Sequence, residues 1–317
     1  MNQPINILCC TDEKYAPFYG IMLTSLFDNN KGEFFEIFVL TAGLKEETTQ
    51  DLQTLVDANH SKLTVIIVDE SRLKNCPIRE GDHVTLATYY RLLTPVLLPD
   101  VERIIYLDGD IIINRSLKPL WNTNLEDKAL AAIIDEDYNG EERHKRLYIP
   151  QQIPYFNAGV LLINLKYWRE HDVISRCMKC IENMADKLLF HDQDTLNVVL
   201  HNEIKLLPLT YNFQRGFIDY AFYNNYDSKY QEEINSEKYK PTVIHYTGYS
   251  KPWHKGCRHP YASYFLYYWK KSLWSDMPLV KTNSSFKQRL SAIRNEIIWA
   301  LGIKKRPRTY LIERQNK

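Results

Sequence analysis

RIIYLDGDIIINRSLKPLW, residues 103–121, is the stretch on which the fold reading turns. Its opening, RIIYLD, reads as a buried β-strand, yet Asp108 and Asp110 interrupt a run of Leu, Tyr and Ile. An ionised carboxylate is costly to bury unless it is paired, and two neighbours also repel each other. In open α/β sheets ligands gather at the carboxyl ends of strands, and Gly109 lets the chain bend there so that both carboxylates can turn to one point. A divalent cation at that point would reconcile the pair with its apolar surroundings. A surface turn with two solvated Asp remains the alternative on these residues alone, because Asp-x-Asp triplets are common.

Outward from this stretch the chain alternates strand and helix. INILCCTD, FEIFVLT and KLTVIIVD read as strands, with FYGIMLTSLFDNN and KEETTQDLQTLVDAN as the helices between them. This alternation points to an α/β fold with a parallel sheet covered by helices. TYYRLLTPVLL continues as a helix, AAIID and AGVLLIN as strands, and LKYWREHDVISRCMKCIENMAD as one long helix. DQDTLNVVLHN is a further helix, IKLLPL and TVIHYTG are strands, and PYASYFLYYWKKSLW is a helix. No G-x-G-x-x-G or G-x-x-x-x-G-K-[ST] is present, so a bound nucleotide would need a counter-charge other than a glycine-rich phosphate cradle.

The 317 residues are 44% hydrophobic and 25% charged, as in an ordinary globular protein. The start, MNQPINILCC, lacks the basic and apolar regions of a signal peptide, no apolar run reaches the roughly 20 residues of a spanning helix, and the expected location is cytoplasmic. The six cysteines, with only one C-x-x-C pair at Cys177 and Cys180, read as reduced thiols. The net charge of +1 conceals an asymmetry: residues 281–317 hold ten Lys and Arg against Glu296 and Glu313, a net of +8, leaving 30 basic and 37 acidic residues before them. The expected organisation is a catalytic domain over 1–275 and a basic amphipathic tail over 276–317.

Several other stretches carry polar groups beside strands or at a helix start. They are LCCTDEKYA (8–16), HVTLATYYRLL (83–93), FNAGVLLINL (156–165), HDQDTLN (191–197) and HYTGYSKPWH (245–254). Taken singly, Asp192 could be a helix cap and His245 a core imidazole. Together with YLDGDIII, and in this order, they resemble glycosyltransferase family 8, and within it the bacterial lipopolysaccharide glucosyl- and galactosyltransferases.

The resemblance implies a Rossmann-like nucleotide-sugar transferase fold of the GT-A type with a mixed central sheet. It implies transfer of a hexose from a UDP-hexose donor to a saccharide or lipid-linked glycan acceptor, with retention of anomeric configuration. Asp108, Asp110 and His245 would hold Mn²⁺, or Mg²⁺, a choice that oxygen and imidazole ligands favour independently. Lys251, with Gly109 and Gly248 nearby, would face the diphosphate, so that metal and Lys oppose the charge growing on UDP. Cys10, Thr11, Asp12, Lys14 and Val84 would surround the uracil and ribose. Lys14 stands where a close relative carries an amide. Arg91, Asp135, Asn157, Asp192 and Gln193 would hold the donor sugar. Gln193 and Asp192 are also the candidates for a catalytic role, although an amide is a poor nucleophile. Same-face attack by the acceptor, with a UDP oxygen taking its proton, is the favoured route.

Two rival functions are a metal-dependent Asp-x-Asp phosphatase and a non-catalytic sugar-nucleotide-binding protein. The first leaves H-Y-x-G-x-x-K-P-W-H unexplained, and the second predicts a missing ligand that is not missing. The aromatic segment YNFQRGFIDYAFYNNYDSKY is assigned as a region to the acceptor side, since ring faces cover sugars. In the tail, Phe286, Leu290, Ile293, Ile297 and Leu301 recur at helical spacing from Ser285, flanked by Lys287, Arg289 and Arg294 and followed by KKRPR. This predicts a helix lying on an anionic membrane surface, at the inner face of the cytoplasmic membrane. Nucleic acid is not an expected partner, because the acidic body would repel it.

Overall fold

Strand β1 (Ile5–Cys10) is apolar on both faces, with Ile5, Ile7 and Cys9 in one hydrophobic cluster and Leu8 and Cys10 in another. A strand of that kind belongs in the middle of a sheet covered on both sides. The computed structural model, which describes residues 4–79, 84–219 and 223–281, places it there. In chain order β1 is followed by α1 (Ala16–Asn29), β2 (Phe35–Thr41), α2 (Glu46–Asp57), β3 (Lys62–Ile67), α3 (Thr94–Leu97), β4 (Arg103–Leu107), β5 (Ile111–Ile113), α4 (Lys118–Trp121) and β6 (Leu130–Ile134). Then come α5 (Glu141–Leu147), β7 (Phe156–Asn164), α6 (Leu165–Glu170), α7 (Val173–Met184), α8 (His191–Leu200), β8 (Ile204–Leu206), β9 (Phe213–Gln214), α9 (Ser228–Glu237), β10 (Val243–His245) and α10 (Ala262–Lys271).

The central sheet has seven strands in the order β3-β2-β1-β4-β7-β6-β8. The first four are parallel, as the alternating pattern predicts. β7 runs antiparallel to both β4 and β6, so the sheet is mixed, as the family resemblance implies, and not parallel throughout, as the alternation alone would suggest. Apolar periodicity reports which faces are buried, not the direction in which a strand enters. Within β4, Ile105 and Leu107 face one cluster and Ile104 and Tyr106 the other, so the two-residue period carries Asp108 to the side of Tyr106.

Past Asp108-Gly109-Asp110 the chain leaves this sheet. Ile111–Ile113 form β5, the edge of a three-stranded sheet ordered β5-β10-β9, in which His245 pairs with Ile111. The Asp-Gly-Asp turn is therefore the joint between two sheets. Gly109 serves it by close approach: a Cβ there would lie 2.7 Å from the Tyr19 ring.

Two helical expectations change. The segment read as a helix over 88–98 is a 3-10 helix over Leu86–Leu93 followed by the single turn α3, where Pro95 sits in the first turn. The long helix over 165–186 is broken into α6 and α7, because Asp172 adopts left-handed geometry with φ 46° and His171 Nδ1 bonds the Tyr167 carbonyl 3.0 Å away. The strands read over 204–209 and 242–248 shorten to β8 and β10. The tail helix expected from Ser285 lies outside the described residues. No helix among the described residues is long and apolar enough to cross a membrane.

Candidate active site

Asp108, Asp110 and His245 converge at the joint between the sheets, each offering one ligand atom, and these atoms lie within 4.8 Å of one another. His245 Nε2 is 3.3 Å from Asp110 Oδ1 and 3.8 Å from Asp108 Oδ2. The rest of each carboxylate is braced. Asp108 Oδ1 accepts from the Tyr106 hydroxyl at 2.5 Å and lies 3.4 Å from Arg91 Nη2. Lys251 Nζ donates to Asp110 Oδ2 at 2.5 Å and to the Tyr246 carbonyl at 2.8 Å. Burial would raise the Asp110 pKa, but Lys251 and His245 outweigh it and hold the carboxyl below its ordinary range. Burial likewise disfavours the His245 imidazolium, and Asp110 and Asp108 overcome that and raise its pKa.

The 3-10 geometry over Leu86–Leu93 has a consequence here. In a 3-10 helix side chains three apart eclipse, so Thr88 and Arg91 point the same way, and both meet Asp192. Thr88 Oγ1 donates to Asp192 Oδ1 at 2.5 Å and Arg91 Nε pairs with Asp192 Oδ2 at 2.9 Å. Arg91 also donates to the Ala158 carbonyl at 2.5 Å, and its guanidinium stacks 3.7 Å over the Tyr106 ring. Asp192 lies in the first turn of α8, which begins one residue earlier than expected, at His191, and it is no cap of that helix; it is a buried partner of Arg91, and burial raises its pKa against the pull of that cation.

A second polar group is built on β7 and α8. Asp135 Oδ2 accepts from Asn157 Nδ2 at 3.1 Å and from Gln193 Nε2 at 3.3 Å, while Arg143 of α5 pairs with Oδ1 at 2.9 Å. Gln193 Oε1 accepts the Ala158 N–H at 2.9 Å. Asp135, Asn157 and Gln193 thus form one network, joined to Arg91 through Ala158.

On the β1 side, Cys10 and Thr11 are buried, and Asp12 Oδ2 accepts from Thr85 Oγ1 at 3.2 Å, which brings the exit of β1 beside exposed Val84. Lys14 is exposed. Gly248 turns the chain after β10 with φ +77°.

Sequence reasoning missed Tyr106, Thr88, Arg143, Gly159 and Asn212. A Cβ on Gly159 would lie 2.3 Å from His245 Cε1 and 2.8 Å from Asp108 Oδ2, so these two side chains close over a position with no side chain. Asn212 Oδ1 meets His245 Nδ1 at 2.8 Å. Tyr106 and Gly159 stand inside motifs already singled out; Asn212 has no local signal. Glu136 is also new: its carboxylate accepts from the Gly216 N–H at 2.7 Å and from Thr247 Oγ1 at 3.3 Å, tying the aromatic segment to the loop after His245.

The model of the family described as Glycosyl transferase family 8 matches residues 6–257. General stress protein A of Bacillus subtilis (strain 168) is 27% identical over 276 residues, 86% of this chain and 95% of that protein. Lipopolysaccharide 1,3-galactosyltransferase of Salmonella typhimurium is 28% identical over 296 residues, 90% of this chain and 84% of that one. The crystal structure of galactosyltransferase LgtC in complex with donor and acceptor sugar analogs superposes with a TM-score of 0.77 at 28% identity, covering 90% of this chain and 99% of that one. A match spanning the joint, the 3-10 segment, α8 and the loop after β10 covers every element that builds the site, and the chain belongs to glycosyl transferase family 8.

Proposed function

We propose that this chain transfers a hexosyl group, galactosyl or glucosyl, from a UDP-hexose to a saccharide of a cell-surface glycan such as lipopolysaccharide, with retention of configuration. The observation that carries the reading is the Asp108, Asp110 and His245 cluster, opened between two sheets and flanked by a polar network suited to a sugar. Two carboxylate oxygens and one imidazole are the donor set of Mn²⁺ or Mg²⁺ rather than of a thiolate-seeking metal. A divalent ion there supplies positive charge against a departing diphosphate.

The chain's own groups do the remaining work. Lys251, held beside Asp110, adds an ammonium at the same place to oppose the diphosphate charge. Asp135, Asn157 and Arg91 offer acceptors and donors to hydroxyls of the hexose. Gln193 has its carbonyl oxygen engaged by the Ala158 N–H, which suits a brace for the sugar better than a nucleophile. That supports attack by the acceptor oxygen on the face the UDP leaves: the new C–O bond forms as the old one breaks, and the acceptor proton passes to the diphosphate. Membership of the family and the braced sugar network leave the phosphatase alternative without support.

The deciding experiment incubates the protein with a panel of UDP-hexoses and Mn²⁺ and follows UDP release. One donor is expected to stand out, with EDTA abolishing its turnover, and NMR of the product to show an α-linkage from the α-linked donor. Equal turnover in EDTA, or a β-linked product, would refute the corresponding half of the proposal.

A further inference from the structure

Asn212 lies outside all the motifs that resemble the family, in the 3-10 turn Leu209–Asn212 just before β9, and it is fully buried. Strand pairing sets it beside the site, since β9 runs parallel to β10 with Gln214 opposite His245. The hydrogen bonds around it can be oriented without ambiguity. A backbone N–H can only donate, and that of Gly159 points at Asn157 Oδ1, 2.9 Å away. That atom is therefore the carbonyl oxygen, which agrees with the other end of the same amide donating to the Asp135 carboxylate at 3.1 Å. The same oxygen meets Asn212 at 2.8 Å, so Asn212 turns its NH₂ there and its carbonyl oxygen towards His245. Facing His245 Nδ1 at 2.8 Å, that oxygen needs an N–H opposite. The imidazole lone pair is then left on Nε2, the atom directed at Asp110 and Asp108.

We infer that Asn212 is a positioning residue for the metal centre: through Asn157 it inherits its orientation from a backbone amide, and it holds His245 in the Nδ1–H form with Nε2 aimed as a ligand. Such an outer partner on the second ring nitrogen fixes both the tautomer and the angle of a ligating imidazole. Asn157 consequently serves two sites at once, its NH₂ bracing Asp135 and its oxygen anchoring the relay. This inference rests on the proposed metal-binding role of His245, and its test separates the two.

The full chain, labelled with ¹⁵N-histidine and free of metal, is examined by long-range ¹H–¹⁵N correlation at alkaline pH, where the imidazole is neutral, with His245→Asn identifying the resonance. The Nδ1–H form is expected, and it is expected to be lost in Asn212→Leu. Mn²⁺ binding in the presence of UDP, read from the free-ion EPR signal, is expected to weaken about 10–100-fold in Asn212→Leu. Asn212→Asp keeps an acceptor opposite Nδ1 but sets an oxygen against Asn157 Oδ1, so it is expected to retain the Nδ1–H form while recovering only part of that binding. An Nε2–H form in the unmodified chain, or Mn²⁺ binding at full strength by a folded Asn212→Leu, would overturn the relay. Failure of the unmodified chain to bind Mn²⁺ would instead remove the metal reading, and the tautomer measurement would still decide the role of Asn212.

Discussion

At the scale of single residues, the site depends on what is left out as much as on what is present. Gly159 has no side chain where His245 and Asp108 meet, and a methyl 2.3 Å from the buried imidazole cannot be absorbed by a swing of a flexible tip. Gly159→Ala is expected to weaken Mn²⁺ binding by at least about tenfold while the chain stays folded, which titration calorimetry beside a thermal melt would check. Unchanged affinity would mean that His245 is not a ligand in this geometry. His259 makes a different point. Burial, reinforced by Arg215, Lys251 and His245, pushes its pKa down to about 3. The unfolded chain takes up a proton on this residue below about pH 6.5 and the folded chain does not. Its contribution is complete above the unfolded value and is lost as pH falls from there towards the folded one. Between about pH 7.5 and about pH 5.5 this amounts to roughly 1.4 kcal/mol. His259→Asn is expected to lose less stability over that interval than the unmodified chain, by about that amount, in denaturant melts; equal losses would show that His259 titrates freely in the fold.

At the scale of elements, the 3-10 segment Leu86–Leu93 is the piece that joins the two halves of the site. Arg91 at its end reaches Asp108 beyond β4, the Ala158 carbonyl of β7 and Asp192 of α8, all from a buried position. Removing one member of a buried pair strands the other charge, so Arg91→Met is expected to cost about 3–5 kcal/mol of stability, with Asp192→Asn partly relieving the loss. Independent, additive effects in denaturant melts would exclude the pairing as the cause. This element also shows where the sequence stopped being legible. TYYRLL has the apolar content of an ordinary helix, and nothing local to it says that its turns tighten until Thr88 and Arg91 eclipse. By contrast β1 and β2 could be read directly, since strands covered on both faces are near-continuous apolar runs bounded by turns. The three residues of β5 were too few to carry a pattern, and the direction of β7 leaves no trace in periodicity. Among site residues, Asp108 and Asp110 announced themselves by interrupting an apolar run. Asn212 and Gly159 acquire their roles only once β9 lies along β10 and β7 beside β4, which is information held between strands rather than within them.

At the scale of the whole molecule, charge divides the chain into an acidic body and a tail of net +8 from residue 281 onwards. The body extends up to that boundary: Met277 and Leu279 pack on the core, and Val280 bridges to His254 with its N–H bonded to the Trp253 carbonyl. A cut after Lys281 therefore leaves every described contact of the catalytic fold in place, whereas a cut at 275 would strip Met277 and Leu279 from the core they pack against. Our reading of the tail as a membrane-surface element rests on its sequence, in which an apolar stripe from Phe286 to Leu301 is followed by Lys304, Lys305, Arg306 and Arg308. Each of these cations adds about 1 kcal/mol near an anionic surface, and the contribution fades as salt screens it. A chain ending at Lys281 is expected to keep UDP-hexose hydrolysis and its melting temperature, and to lose sedimentation with vesicles rich in anionic lipid. The full chain is expected to bind those vesicles at low salt and to release them as salt rises. A tail docked on the body predicts the opposite pattern, a destabilised truncated chain and vesicle binding that does not depend on residues 282–317, and that outcome would sink the membrane reading while leaving the active site as described.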